Sequence, residues 1–245
     1  MNRFDQKKFD AMHKAGKISA LALKTALENI KPRISLLELD KIAEEVIFAQ
    51  GATPAFKRVE KYPFTTCINI NHGIVHGLPT EYRLKTGDVV SIDLGAYIDG
   101  YNSDQCWTVE VGTNKEEAFL LAGQEALKNA INAAKIGNTI GDISATMQHS
   151  IESAGYSVSY DLVGHGISRK VHERPNVPCF GVAGTGSILK EGMTLAIEVI
   201  YSKGNSDIVV NDDEWTIEAL DGSISAVFEH TIGISKEGPV VFTDF

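Results

Sequence analysis

Residues 189–199 read LKEGMTLAIEV, and residues 84–94 read LKTGDVVSIDL. The two share Leu, Lys, Gly and Ile at an offset of 105 positions (84 to 189), and the alignment sets Asp93 against Glu198. A second pair lies upstream at an offset of 104: SLLELDKIAEEVIFAQGA from Ser35 and TIGDISATMQHSIESAGY from Thr139. Each opens with a capping box, Ser35 with Glu38 and Thr139 with Asp142, in which side chain and backbone of the first turn satisfy one another. Each ends on a glycine, Gly51 and Gly155, of the kind that stops a helix. Longer helical stretches, roughly Phe4 to Asn29 and Lys115 to Ala134, precede them. The chain therefore reads as two α/β half-folds, about 1–112 and 113–245. A pseudo-twofold relation between them is expected to bring Asp93 and Glu198 to equivalent places facing a shared axis.

Glu198 sits at the centre of the apolar run MTLAIEVIY (193–201), where an ionised carboxylate costs several kcal/mol, roughly, unless something compensates it. Period-2 alternation predicts which side each acid faces. Asp93 falls with Ser91, Gly95 and Tyr97, opposite Val90, Ile92, Leu94, Ala96 and Ile98. Glu198 falls with Thr194 and Ala196, opposite Leu195, Ile197 and Val199. In SAVFEHTIGI, Glu229 falls with Ser225, Thr231 and Gly233, opposite Phe228, His230 and Ile232. Asp99-Gly100 is a favoured two-residue hairpin turn. The register it sets pairs Ile98 with Tyr101, Gly95 with Asp104 and Asp93 with Cys106, leaving Asp93 and Asp104 as diagonal neighbours on one face. No basic residue lies within these strands. Two divalent cations would bring four such carboxylates close to neutrality.

The histidines sort by context. His165 lies between glycines in GHGISRKVHERP, read as irregular backbone able to approach a ligand, with His172 seven residues on. His76 lies in NHGIVHGLP, a loop type that lines sites. His13 and His149 fall in helices and read as surface residues; His72 and His230 read as structural.

The wider composition excludes several classes. A chain of 245 residues with 43% hydrophobic content can bury a full core, and a net charge of -9 with no Lys/Arg cluster argues against a nucleic-acid or anionic-membrane binder. Three widely spaced cysteines, Cys67, Cys106 and Cys179, imply neither a disulfide framework nor a zinc knuckle, and fit a reducing cytoplasm. The amino terminus lacks the apolar core of a secretory signal, and no run approaches a membrane span. A soluble, monomeric protein is expected.

His76, Asp93, Asp104, His165, His172, Glu198 and Glu229, in the contexts VHGLP, SIDLGAYIDGYNSD, GHGISRKVHERP, GMTLAIE and FEHTIGI, together resemble the type I methionine aminopeptidases in their short, bacterial-style form. The resemblance runs from about residue 5 to the carboxyl terminus. It implies a single metallopeptidase domain, residues 1–245, of the pseudo-symmetric pita-bread fold: α/β (α+β), an antiparallel sheet core covered by helices. Asp93, Asp104, His165, Glu198 and Glu229 would ligate two divalent metal ions (Co, Mn, Fe or Zn). Glu198 would carry protons, while His76 and His172 would contact substrate and transition state. Tyr62, Cys67 and Trp215 would line the methionine side-chain pocket.

The implied reaction is hydrolysis of the first peptide bond of nascent polypeptide N-termini, favouring a small second residue, with the ribosome exit region a further partner. Two positions depart from the family pattern. Val171 stands where an aromatic is usual, leaving the pocket wider or filled from elsewhere, and Val199 stands where a proline usually follows the first motif glutamate. Prolidases and proline-specific aminopeptidases share fold and ligands but usually carry a substantial extra amino-terminal domain. Metal-free binding modules of this fold lack ligands that are present here.

Overall fold

The computed structural model describes residues 5–245. Helices form where the sequence places its caps. Helix α1 spans Gln6–Glu28, its first turn closed by the Asp5 carboxylate accepting from Lys8 N–H; the expected start at Phe4 lies outside the described residues. Helix α2 spans Leu36–Ala49 and α4 spans Ile140–Ser153, and both capping boxes are complete. The shorter acid still reaches, since Asp142 Oδ2 accepts from Thr139 N–H at 2.7 Å. Gly51 and Gly155 follow with φ of +72° and +86°. Helix α3 spans Glu117–Ala133.

Every strand pairing is antiparallel. In the first half, Val89–Leu94 lies between Thr66–Ile70 and Gln105–Glu110. In the second, the order is Glu173–Pro178, Val163–Gly166, Thr194–Ser202, Ser225–Ser235, Gly238–Val241. The hairpin register is as expected: Ile98 pairs with Tyr101 and Asp93 with Cys106, around a turn with Asp99 at φ +52° and Gly100 at +88°.

The outward faces of the two sheets carry the core. Ile92 and Leu94 pack with Leu23, Leu39 and Ile47 of α1 and α2. Leu195, Ile197, Val199 and Phe228 pack with Phe119, Leu127 and Met147 of α3 and α4. At about 25 cal/mol per Å² of apolar surface, these two layers dominate the folding energy, and they leave the acid-bearing faces turned toward each other.

The sheets abut along Gln105–Glu110 and Ser225–Ser235 through side chains. Thr108 Oγ1 accepts from Val227 N–H at 3.0 Å and donates to Val227 C=O at 2.7 Å. Thr231 Oγ1 accepts from Asp104 N–H at 2.8 Å and donates to Asp104 C=O at 2.7 Å. The two sets are related by one shift of 123 residues, 108 to 231 and 104 to 227, so the seam itself obeys the pseudo-twofold. From Asp93 to Glu198 the shift is 105, whereas between their respective cross-strand partners, Cys106 and Glu229, it is 123. The second half therefore has a longer connection between its inner strands. That connection carries Ile208–Val210 and Ile217–Ala219, which pair back toward Gly73–Val75, with Trp215 between them.

Helix α3 approaches its sheet through Gly123, while Gly16 of α1 lies against the main chain of Phe242. A Cβ on Gly123 would collide with the rings of Tyr201 and Phe228, both buried. Alanine gains about 1 kcal/mol of helix propensity over glycine, but overpacking a rigid aromatic contact loses roughly 1 to 3. Gly123→Ala is expected to lower Tm by several degrees in a thermal melt; an unchanged or raised Tm would show that the helix can ride outward freely.

Candidate active site

The facing inner surfaces enclose a cavity lined by Asp93, Asp104, His165, Glu198 and Glu229, by His76 and His172, and by Tyr62, Cys67 and Trp215. All ten residues singled out from the sequence converge there. Glu198 and Glu229 are direct cross-strand partners, and Asp93 stands between Cys67 and Cys106 on its two neighbouring strands. The symmetry stops at Asp93 and Glu198. By the seam relation, Glu229 matches Cys106 and Asp104 matches Val227, so the acids form an asymmetric set on a symmetric frame.

His165 departs from expectation. It lies in the strand Val163–Gly166, paired on one side with Ala196 and on the other with Asn176, where the neighbouring strand shifts register between Glu173 and Asn176. Its flanking glycines serve close packing: a Cβ on Gly164 would press on Ala196 C=O and the Glu198 side chain, and one on Gly166 would strike the main chain of Arg174. The strand can thus sit tight against Thr194–Ser202. His165 Nδ1 is 3.0 Å from Gly166 C=O, which holds the proton on Nδ1 and leaves Nε2 as a lone-pair donor. Nε2 is 3.8 Å from both Asp104 Oδ2 and Glu198 Oε1. Ligand atoms of Asp104, His165 and Glu229 all lie within 4.8 Å of one another.

Burial and mutual repulsion govern the charges. Burial raises Asp104 to about 7. Glu198 rises to about 8 through burial and then the Asp104 charge. Asp93 and Glu229 are pushed well above the usual carboxylate range by burial and by the neighbouring acids. Burial and His172 lower His165 to about 4, so its imidazole is neutral. No lysine or arginine lines the cavity. Asp93 Oδ1, Asp104 Oδ1 and Glu229 Oε1 are buried with no hydrogen-bond partner among the described residues. Orphaned carboxylate oxygens beside a neutral imidazole lone pair are a donor set that fits divalent metal.

His76 and His172 border this cluster from two loops. His76 has φ +61°, and its loop is anchored by Gly77 N–H donating to Asn69 Oδ1 at 3.0 Å. A Cβ on Gly77 would run into Ile68 C=O, so only glycine lets the loop lie this close. His172, on the solvent side, meets His165 edge to face at 4.4 Å.

The apolar end of the cavity is an aromatic cluster. Tyr62 meets Trp215 at 5.0 Å and Phe56 at 6.4 Å, both edge to face, and its hydroxyl donates to Thr66 C=O at 2.7 Å. Val171 packs in the same cluster, with Cys67. The cluster is hung from α2, where Asp40 accepts from Thr65 N–H, Thr66 N–H and Thr66 Oγ1 and so secures the strand bearing Cys67. Phe56, Val59 and Val75 also line the cavity and were not singled out from the sequence. Phe56 belongs to a three-residue turn of 3-10 helix, too short for any periodic signal.

Residues 10–236 match metallopeptidase family M24. A methionine aminopeptidase of Clostridium perfringens is 43% identical over 98% of this chain and 97% of its own length. A crystal structure of methionine aminopeptidase from Thermotoga maritima superposes with a TM-score of 0.96 at 38% identity, covering 100% of both chains. A prolidase from Pyrococcus furiosus superposes with a TM-score of 0.77 at 26% identity, and the match covers 99% of this chain but 65% of that one. The protein has the pita-bread fold of both groups, and the near full-length matches favour the aminopeptidases. The chain belongs to metallopeptidase family M24, among the methionine aminopeptidases.

Proposed function

We propose that this protein is a metallo-aminopeptidase that removes the N-terminal methionine from peptides and proteins. The observation that carries the reading is the junction, in one cavity, of the orphaned carboxylate cluster with an apolar pocket of Tyr62, Cys67, Phe56 and Trp215. A thioether side chain suits such walls, because sulfur packs favourably at aromatic edges and on a small polarizable thiol.

Asp93, Asp104, His165, Glu198 and Glu229 would hold the metal. Four carboxylates and one neutral imidazole favour two divalent ions, with Co, Mn, Fe and Zn all suited to such ligands. When bound, divalent metal supplies Lewis acidity, making hydroxide available near neutral pH and polarising a carbonyl. The chain's own groups do the rest. Glu198 would take the proton of the attacking water on a carboxylate oxygen and pass it to the departing amine. His172, beside His165, would donate to the oxyanion that develops on the carbonyl, and His76 would hold the amide being cleaved. The aromatic cluster excludes water from the methionine side chain. A small second residue, nascent chains at the ribosome exit and a cytoplasmic setting fit this role.

A prolidase-like peptidase would favour an imino acid after the cleaved bond. The thioether-lined pocket supports methionine instead.

Phe56 and Val171 belong to one apolar cluster, and of the two Phe56 lines the cavity. Phe56→Ala is expected to lower the kcat/KM ratio of Met-Ala-Ser to Leu-Ala-Ser by roughly fivefold or more, as a change of a few methylenes is worth at least ~1 kcal/mol. An unchanged ratio would remove Phe56 from specificity.

Chelation should abolish hydrolysis of Met-Ala-Ser and added Mn or Co should restore it; cleavage by stripped protein would refute the metal mechanism. The raised acids carry protons that metal must displace, with Asp104 near 7 and Glu198 near 8. Protons bound to the cluster compete with metal and are lost as pH rises, so metal uptake at pH 7 should release protons and affinity should climb from pH 6 to 8. Calorimetry in buffers of different ionisation enthalpy measures this, and uptake without proton release would contradict the charge state assigned to the cluster.

His165→Ala is expected to lose both metal and turnover, whereas His172→Ala keeps its metal and loses turnover. Metal content by elemental analysis separates the two, and equal loss in both would reverse the assignment.

A further inference from the structure

Two threonines hold the seam between the halves, and only one of them touches a residue of the metal cluster. Asp104 lies outside the strands on either side of it, Tyr101–Asn102 and Gln105–Glu110. Both its main-chain groups are bonded by the Thr231 hydroxyl, at 2.8 Å from its N–H and 2.7 Å from its C=O. Thr231 is fully buried and stands two residues after Glu229 on the same strand face. Its own main chain is anchored independently of that hydroxyl: Thr231 N–H donates to Thr243 Oγ1 at 3.1 Å, and Phe242 N–H donates to Thr231 C=O at 2.9 Å. Removing the hydroxyl therefore releases Asp104 and leaves Glu229 in place.

We propose that Thr231 is the positioning residue of the metal centre, its single hydroxyl setting the separation of Asp104 and Glu229, which come from different halves of the chain. The proposal rests on the reading of these two acids as ligands. Metal ligands tolerate misplacement of only about 0.2 Å, and groups that orient ligands typically govern affinity by about 10- to 100-fold. No other bond among those described ties the Asp104 main chain to the Glu229 strand, although these segments lie 127 residues apart.

The pseudo-twofold supplies a matched control. Thr108 makes the same two bonds to Val227, a residue with no ligand atom, and is equally buried. Thr108→Val and Thr231→Val thus each remove one pair of seam bonds, the first to the main chain of Val227 and the second to that of a ligand, and Thr108→Val also removes the 2.8 Å bond between Thr108 Oγ1 and Ser91 Oγ. Metal-stripped parent, Thr108→Val, Thr231→Val, Thr231→Ser and Asp104→Asn would be titrated with Mn2+ by calorimetry, and their urea midpoints measured without metal. Both valine variants should lose stability, Thr108→Val at least as much as Thr231→Val because it also leaves the buried Ser91 hydroxyl without its partner. Only Thr231→Val should lose Mn2+ affinity, by about 10- to 100-fold, and Thr231→Ser, which keeps the hydroxyl, should return close to the parent. Parent-like affinity in Thr231→Val, or an equal loss in Thr108→Val, overturns the proposal. If Thr231→Val does not fold, Thr231→Cys replaces it, with a longer and weaker bonding group; parent-like affinity there overturns the proposal too. Asp104→Asn isolates the premise. If it binds Mn2+ as the parent does, the ligand reading falls; if it loses binding while Thr231→Val does not, only the role of Thr231 falls.

Discussion

Asp93, Asp104, Glu198 and Glu229 bring four acidic groups into one buried cavity that no lysine or arginine lines. Like charges so placed cannot all ionise, and desolvation adds to the repulsion. The acids respond as expected, with every one raised. An arrangement of this kind opposes folding in itself, so the energy that holds it must come from elsewhere. It comes from the opposite faces of the same strands, where Ile92, Leu94, Leu195, Ile197, Val199 and Phe228 are packed under four helices. Alternation along each strand thus couples a strained polar face to a stabilising apolar one, and divalent cations relieve the strain.

Duplication gives this device its shape. Two sheets of similar construction meet along Gln105–Glu110 and Ser225–Ser235 through reciprocal threonine bonds, and the acids of both project into the space between them. A plain duplication would yield a symmetric site. The chain departs from symmetry at two points, with Cys106 opposite Asp93 where Glu229 is opposite Glu198, and Val227 where the other half has Asp104. The longer connection in the second half then lays Trp215 against Tyr62, closing an apolar pocket at one end of the acids. The acids and the apolar pocket so share one cavity while drawing on different elements.

The histidines follow from burial as well. In a low-dielectric wall the charged imidazolium is disfavoured. His165 is consequently neutral, and its Nδ1 contact to Gly166 C=O directs the free lone pair inward. His76 is lowered in the same way, by burial and then by His172. A neutral imidazole can ligate or accept, which is what a carboxylate cluster awaiting cations requires of its neighbours.

Much of this was legible in the sequence because it is local. The capping boxes at Ser35 and Thr139 and the turn at Asp99-Gly100 depend on residues two to four positions apart. The faces of Asp93, Glu198 and Glu229 depend only on alternation within a strand, and the repeat at an offset of 105 implied two halves. The family resemblance pointed to His76, His172, Tyr62, Cys67 and Trp215, all of which line the cavity. Other features belonged to the tertiary structure alone. His165 read as irregular because glycines flank it, whereas those glycines admit a neighbouring strand. Phe56 carried no periodic signal, and its place in the pocket wall depends on Tyr62 and Trp215 arriving from elsewhere. The bond from Thr231 to Asp104 joins segments 127 residues apart. Local pattern determined which way each side chain faces; only the docking of two sheets, driven by apolar burial on their far sides, decided which of those side chains meet.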